Sequence, residues 1–155
     1  MKKQKQEAGI ILLYATKILL VFQRASNLWG IPKGTKKDDE DLYSCALREL
    51  HEETGIVITN YDRYVGKLKL GNITAFMFET LEKYVPIPIH TDEILKAEWM
   101  YINNIKYLRH NISIRDWFSV NEIRKNKNID RTIINVEIKV TDTGDVNLIL
   151  RNVFS

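Results

Sequence analysis

One stretch, from Gly34 to Ile56, constrains this chain more than any other. Within it Leu42, Cys45, Ala46 and Leu50 recur at i, i+3, i+4 and i+8, the spacing of an amphipathic helix. Asp39 or Asp41 can cap its start, and Gly55 stands where such a helix should stop. With Leu42 as origin, an ideal helix puts Glu49 at about −20°, Glu53 at about +20° and Glu52 at about −80°. Glu49 and Glu53 therefore point with the apolar stripe toward the protein body, and Glu52 flanks them. These carboxylates repel one another and lie toward the negative end of the helix dipole. Arg48 is turned away from Glu53. Desolvating such groups without a counterion is costly or forces protonation. Two readings follow: a solvated acidic face, or an oxygen-rich site for a hard divalent cation such as Mg²⁺ or Mn²⁺. The inward direction of Glu49 and Glu53 favours the cation.

In full, the stretch reads Gly34, five residues, Glu40, seven residues, then Arg48-Glu49-Leu50-His51-Glu52-Glu53-Thr54-Gly55-Ile56. It resembles the Nudix box, G-x5-E-x7-R-E-U-x-E-E-x-G-U with U aliphatic, at every specified position. The resemblance implies an α/β Nudix fold: a mixed β-sheet sandwiched between helices (α/β/α). It also implies metal-dependent hydrolysis of a pyrophosphate linkage in a nucleoside diphosphate joined to another group. On that resemblance Glu49 and Glu53 are metal ligands and catalytic residues, with Glu52 assisting. Glu40 and Arg48 fix the loop, and Gly34 and Gly55 complete the structural box over residues 34–56.

The chain has 155 residues, 45% hydrophobic and 28% charged, which suits a single domain over 1–155 with one core. A net charge of +3 is compatible with polyanionic substrates without being diagnostic of nucleic acid. The single cysteine, Cys45, excludes an internal disulfide framework and reads as a small core residue of a cytoplasmic protein. The apolar run near the N-terminus is too short for a secretory core, and no apolar run is long enough to span a membrane.

In chain order, residues 8–14 and 18–23 read as a central hairpin, with Arg24 at its end. Trp29-Gly30-Ile31-Pro32-Lys33-Gly34 then leads into the box; Pro32 keeps Ile31 extended, and Gly34 permits a tight bend that brings backbone close to a phosphate or metal. Lys33 is a candidate phosphate counter-charge. This run and the loop Thr35 to Asp41 are similar to the mRNA decapping enzymes of eukaryotes and viruses. The wider family resemblance implies a phosphate-facing Arg24, against a plain surface arginine. The decapping resemblance implies Glu93 as general base, with Glu98 the alternative.

Residues 63–70 and 73–81 flank the turn signal Gly71-Asn72. Residues 84–89 form a loop stiffened by Pro86 and Pro88, ahead of a strand over 96–102 and a short helix over 103–108. Residues 109–131 interleave basic side chains with Trp117 and Phe118, a pattern that suits an RNA path or an amphipathic helix over 112–123. Residues 132–154 read as a C-terminal β-hairpin extension that either widens the sheet or makes a dimer contact, and the oligomeric state stays open. Cellular decapping enzymes carry a separate N-terminal helical domain, so base recognition here is expected from Trp29, Tyr101 and Trp117 or from a partner. The partners expected are a nucleotide or capped RNA and no membrane. Two alternatives remain: a pyrophosphatase of dinucleoside polyphosphates, nucleotide sugars or diphosphoinositol phosphates, and a non-catalytic nucleotide sensor. The full set of box glutamates argues against the sensor.

Overall fold

The computed structural model describes residues 5–107, 135–140 and 146–151. Strand β1 (Glu7–Tyr14) and strand β2 (Lys17–Gln23) are near-continuous apolar runs because both of their faces are covered. They pair only beside their turn, at Leu13↔Ile18 and Tyr14↔Lys17. Beyond that they splay apart, and two three-residue strands fill the gap. β3 (Leu28–Gly30) pairs with β2, and β4 (Lys33–Thr35) pairs with β1. Between them the Pro32 carbonyl accepts from the Ile10 N–H at 3.0 Å. A Cβ on Gly9 would lie 2.5 Å from that carbonyl oxygen, so only glycine lets the strand ends approach.

Helix α1 (Leu42–Thr54) begins at Asp41, whose side chain accepts from the Ser44 N–H at 2.7 Å, a cap worth about 1 kcal/mol. It ends at Gly55 with φ 73°, and the Gly55 N–H returns to the His51 carbonyl at 2.8 Å. Strands β5 (Arg63–Leu70) and β6 (Ile73–Glu79) form a hairpin around Gly71-Asn72, with Gly71 at φ 65°. β6 runs parallel to β1, from Glu7↔Ile73 to Leu13↔Glu79. It stops two residues short of expectation, where the Thr80 hydroxyl accepts from the Glu82 N–H. β7 (Ile94–Tyr101) is antiparallel to β2, and a 3-10 helix (Ile102–Tyr107) follows. β7 starts earlier than the alternation suggests because Ile94 is fully buried.

β8 (Asn135–Val140) joins β5 in parallel and β9 (Val146–Arg151) pairs antiparallel with β8. The terminal hairpin thus widens the sheet, whose order is β3-β2-β1-β6-β5-β8-β9 with β4 on β1 and β7 on β2. The mixed sheet has a core on each face. Ile10, Leu12, Leu19, Phe76 and Phe78 pack under Cys45, Ala46 and Leu50 of α1. Ile11, Leu20, Leu68 and Met77 face the other way, toward Ile105 of the 3-10 helix. The segment 109–131, with Trp117 and the expected helix over 112–123, lies outside the described residues. Among the described residues no helix is long and apolar enough to cross a membrane.

Candidate active site

The carboxylates of α1 do face inward. Glu49 is 8% and Glu53 3% exposed. Both lie against β4, which the splayed hairpin delivers to the helix. The Lys33 N–H donates to Glu53 Oε2 at 3.1 Å. Gly34 sits within a strand rather than in the tight bend its glycine suggested. A Cβ there would overlap the Glu49 carboxylate, so the glycine serves a close approach of backbone to carboxylate. The Lys33 ammonium pairs with Glu7 at 3.5 Å.

Arg48 organises the outer side. It grips Glu40 through two bonds, Nε to Oε2 at 3.0 Å and Nη2 to Oε1 at 2.7 Å. Its Nη1 donates to Glu49 at 2.9 Å and to Glu52 at 3.2 Å, and Nη2 reaches the Thr35 carbonyl at 3.2 Å. The helical wheel turns Arg48 away from Glu53, and no bond joins the two; its length brings it to Glu49 and Glu52 all the same. The Arg48 guanidinium, aided by the Lys37 N–H, holds the Glu40 carboxyl down to about 2. Glu40 in turn raises Arg48. Burial raises Glu49 despite Arg48. Burial, then the Glu49 charge, pushes Glu53 up to about 9, with Glu93 adding a smaller push. Cys45 is an inert core thiol: burial lifts it to about 11, and its Sγ–H faces the Gly34 carbonyl at 3.6 Å.

The loop before β7 packs against the C-terminal end of α1. Ile87 N–H donates to the Thr54 carbonyl at 2.8 Å, and Ile89 and His90 N–H both reach the Glu52 carbonyl at 3.0 Å. Pro86 and Pro88 lack N–H groups, so the alternate residues supply the donors that the helix end needs. His90 Nδ1 lies 3.7 Å from Glu52 Oε2. This docking was not readable from the sequence, where the prolines signalled only stiffness. It brings exposed Glu93 within electrostatic reach of both Glu49 and Glu53. Glu98, the alternative base, pairs with Leu20 and shares its face of the sheet, away from α1.

Three other expectations meet a different geometry. Arg24 directs its Nε–H to the Thr91 carbonyl at 2.6 Å and so ties down the Glu93 loop. Trp29 packs edge-on against Phe22, centroids 5.2 Å apart, over the core on the face opposite α1. Tyr101 carries the Lys17 ammonium 4.6 Å over its ring, at the end of β2 remote from Arg24, about 20 Å along the strand. Trp117 lies outside the described residues.

The donor set suits a hard divalent cation. It is all carboxylate oxygen, and Glu53 Oε1 has no hydrogen-bond partner among the described residues although Glu53 is buried. As placed, no three His, Cys, Asp or Glu side chains among the described residues form a metal-holding group, and Arg48 occupies oxygens of Glu49 and Glu52.

A mixed sheet that clamps a carboxylate-bearing helix between a glycine strand and a docked loop defines a loop–helix–loop class of α/β protein. The family model for the NUDIX domain matches residues 3–135, and the chain belongs to that family. The chain is similar to human nucleoside diphosphate-linked moiety X motif 6, with 29% identity over 108 residues covering 63% of this chain and 34% of the human one. It is also similar to the m7GpppN-mRNA hydrolase of Saccharomyces cerevisiae, with 32% identity over 114 residues covering 64% of this chain and 12% of the yeast one. These matches cover well under half the length of either relative. In fold it is similar to RenU, a Nudix hydrolase of M. smegmatis, with TM-score 0.65 and 16% identity over 79% of this chain and 87% of RenU.

Proposed function

We propose that this protein hydrolyses a pyrophosphate linkage in a nucleoside-diphosphate-X substrate, and that its substrate is the capped 5′ end of mRNA in the cytoplasm. Water adds across one P–O–P bridge, and the products are 7-methyl-GDP and RNA with a 5′-monophosphate. Mg²⁺ or Mn²⁺ held by Glu49, Glu53 and Glu52 would polarise the phosphate and stabilise the leaving diphosphate. Glu93 accepts the proton of the attacking water. The observation that carries this reading is the docked 86–93 loop, which holds one exposed carboxylate near two buried ones. Gly34 lets β4 approach the site, Glu40 and Arg48 hold its entrance loop, and Gly55 allows the helix to end under the docked loop. The Lys33 ammonium remains the phosphate counter-charge of this reading.

The cap is favoured by the Trp29 to Gly34 run, the lysine-and-aspartate loop after it, and the similarity to a yeast m7GpppN-mRNA hydrolase. One observation favours a small-molecule pyrophosphatase instead: neither Trp29 nor Tyr101 stands beside the carboxylates as a platform for a methylated base. Product analysis with Mg²⁺ and with Mn²⁺ separates the two. Capped RNA should yield 7-methyl-GDP far faster than diadenosine polyphosphates are cleaved; the reverse order overturns the cap and leaves the pyrophosphatase.

A further inference from the structure

α1 covers only part of its face of the sheet. Beside it on β5, Tyr64 lies opposite Phe78, Lys67 opposite Phe76 and Lys69 opposite Thr74. Directly paired residues share a face, and Leu68 and Leu70 are buried in the core on the other side. Tyr64, Lys67 and Lys69 thus stand on the helix side of β5, all exposed. α1 turns Tyr43 toward them. Its ring lies 5.2 Å from Phe76, and that of Tyr64 lies 5.4 Å from Phe78, so two tyrosines rise over a phenylalanine floor. Tyr43 and Tyr64 are 41% and 47% exposed, leaving ring faces open to solvent. Burial, with Tyr43 close by, raises the Tyr64 phenol.

Among the residues that α1, β5 and β6 turn toward this platform, the charges have one sign. Leu47 and His51 follow Tyr43 at i+4 and i+8 on α1, while Arg48 and Glu52 lie on the opposite flank with the candidate site. Glu79 pairs with Arg63 on the far face of the hairpin. No residue that α1, β5 or β6 turns toward the platform is acidic. β8 borders it, with Asn135 and Glu137 in register beside Lys67 and Lys69. Open aromatic faces beside ammonium groups that have no ion pair among the described residues match a ligand whose bases stack and whose phosphates follow the lysines.

We propose that the surface formed by Tyr43, Tyr64, Lys67 and Lys69 binds single-stranded polynucleotide. The choice of RNA rests on the cap reading above; the binding itself does not. α1, about 10 Å across, separates the platform from Glu52, so the nucleotides it holds lie downstream of the cleaved end.

The test is fluorescence anisotropy of the full chain with an uncapped, end-labelled oligouridylate of about twenty nucleotides across a salt series. Lys67→Glu with Lys69→Glu should weaken binding at least about tenfold and reduce the slope of log affinity against log salt by about 1.4, for two lost contacts. Tyr64→Ala should weaken binding about tenfold, whereas Tyr64→Phe keeps the ring and the affinity. Unchanged melting temperature and unchanged hydrolysis of a dinucleotide substrate identify these as binding defects. Wild-type protein that does not bind the oligomer, or lysine variants that bind it as well as wild type, overturn the proposal. Loss of binding only in Arg124→Ala, Lys125→Ala and Lys127→Ala also overturns it and moves RNA to residues 109–131. Binding that follows the platform while capped RNA stays intact rejects the cap and keeps the platform.

Discussion

Arg24 donates its guanidinium Nε–H to the Thr91 carbonyl at 2.6 Å, two residues before Glu93. Its backbone N–H reaches the Glu93 carbonyl at 3.0 Å. The arginine expected to meet phosphates therefore anchors the loop that carries the proposed base. Arg24→Ala should lower kcat by about 10- to 100-fold through misplacement of Glu93, with KM nearly unchanged. A phosphate-binding arginine would instead raise KM. Steady-state kinetics on one small substrate distinguishes them.

Glu53→Gln should abolish activity and weaken Mn²⁺ binding measured by calorimetry, since it replaces the buried carboxylate that lacks a second partner among the described residues. The same change should stabilise the fold under chelation. Glu53 is pushed up to about 9 from an ordinary 4.5, so its contribution to stability is full below 4.5 and is lost as pH rises through 9. At about pH 9.5 with chelator, Glu53→Gln should melt at least about 3 °C higher than wild type, and the gap should close toward pH 5.

Glu93→Gln should cut kcat by about 10²- to 10⁴-fold and flatten the acid limb of the pH–rate profile, with metal affinity little changed. Glu98→Gln should be near wild type, because Glu98 shares the Leu20 face of the sheet. Full activity in the first variant together with a crippled second would transfer the role to Glu98.

Glu40 works in the opposite pH direction. Arg48 and the Lys37 N–H hold it down to about 2, so its ion pair contributes stability above pH 4.5 that is lost as pH falls toward 2. Melting temperature measured between pH 5 and 2 should fall more steeply for wild type than for Glu40→Gln. Parallel curves would show that the pair adds nothing.

Gly34→Ala should be as damaging as loss of a catalytic group. The added methyl overlaps the Glu49 carboxylate and forces β4 from α1. A cost of about 1–3 kcal/mol in urea denaturation and a loss of activity beyond about 100-fold are expected.

Much of this was legible in the residues. The apolar spacing of Leu42, Cys45, Ala46 and Leu50 placed a helix with its cap at Asp41 or Asp39 and its end at Gly55, and it turned Glu49 and Glu53 inward. Helix periodicity and capping are local, so sequence alone determines them. The two β-rich runs, the Gly71-Asn72 turn and the terminal hairpin were readable for the same reason. Only the tertiary structure decided what those elements meet. The splay of β1 from β2 sets Gly34 against Glu49, and the 86–93 loop caps α1 and carries Glu93 to it. Arg24 was redirected to Thr91, and Trp29 and Tyr101 were taken into packing and a cation contact away from the carboxylates. The platform of Tyr43, Tyr64, Lys67 and Lys69 needs the strand register and the far side of a helix at once. Such relationships, Lys33 to Glu53 across 20 positions and Arg24 to Thr91 across 67, arise through backbone pairing and packing, and no local spacing encodes them.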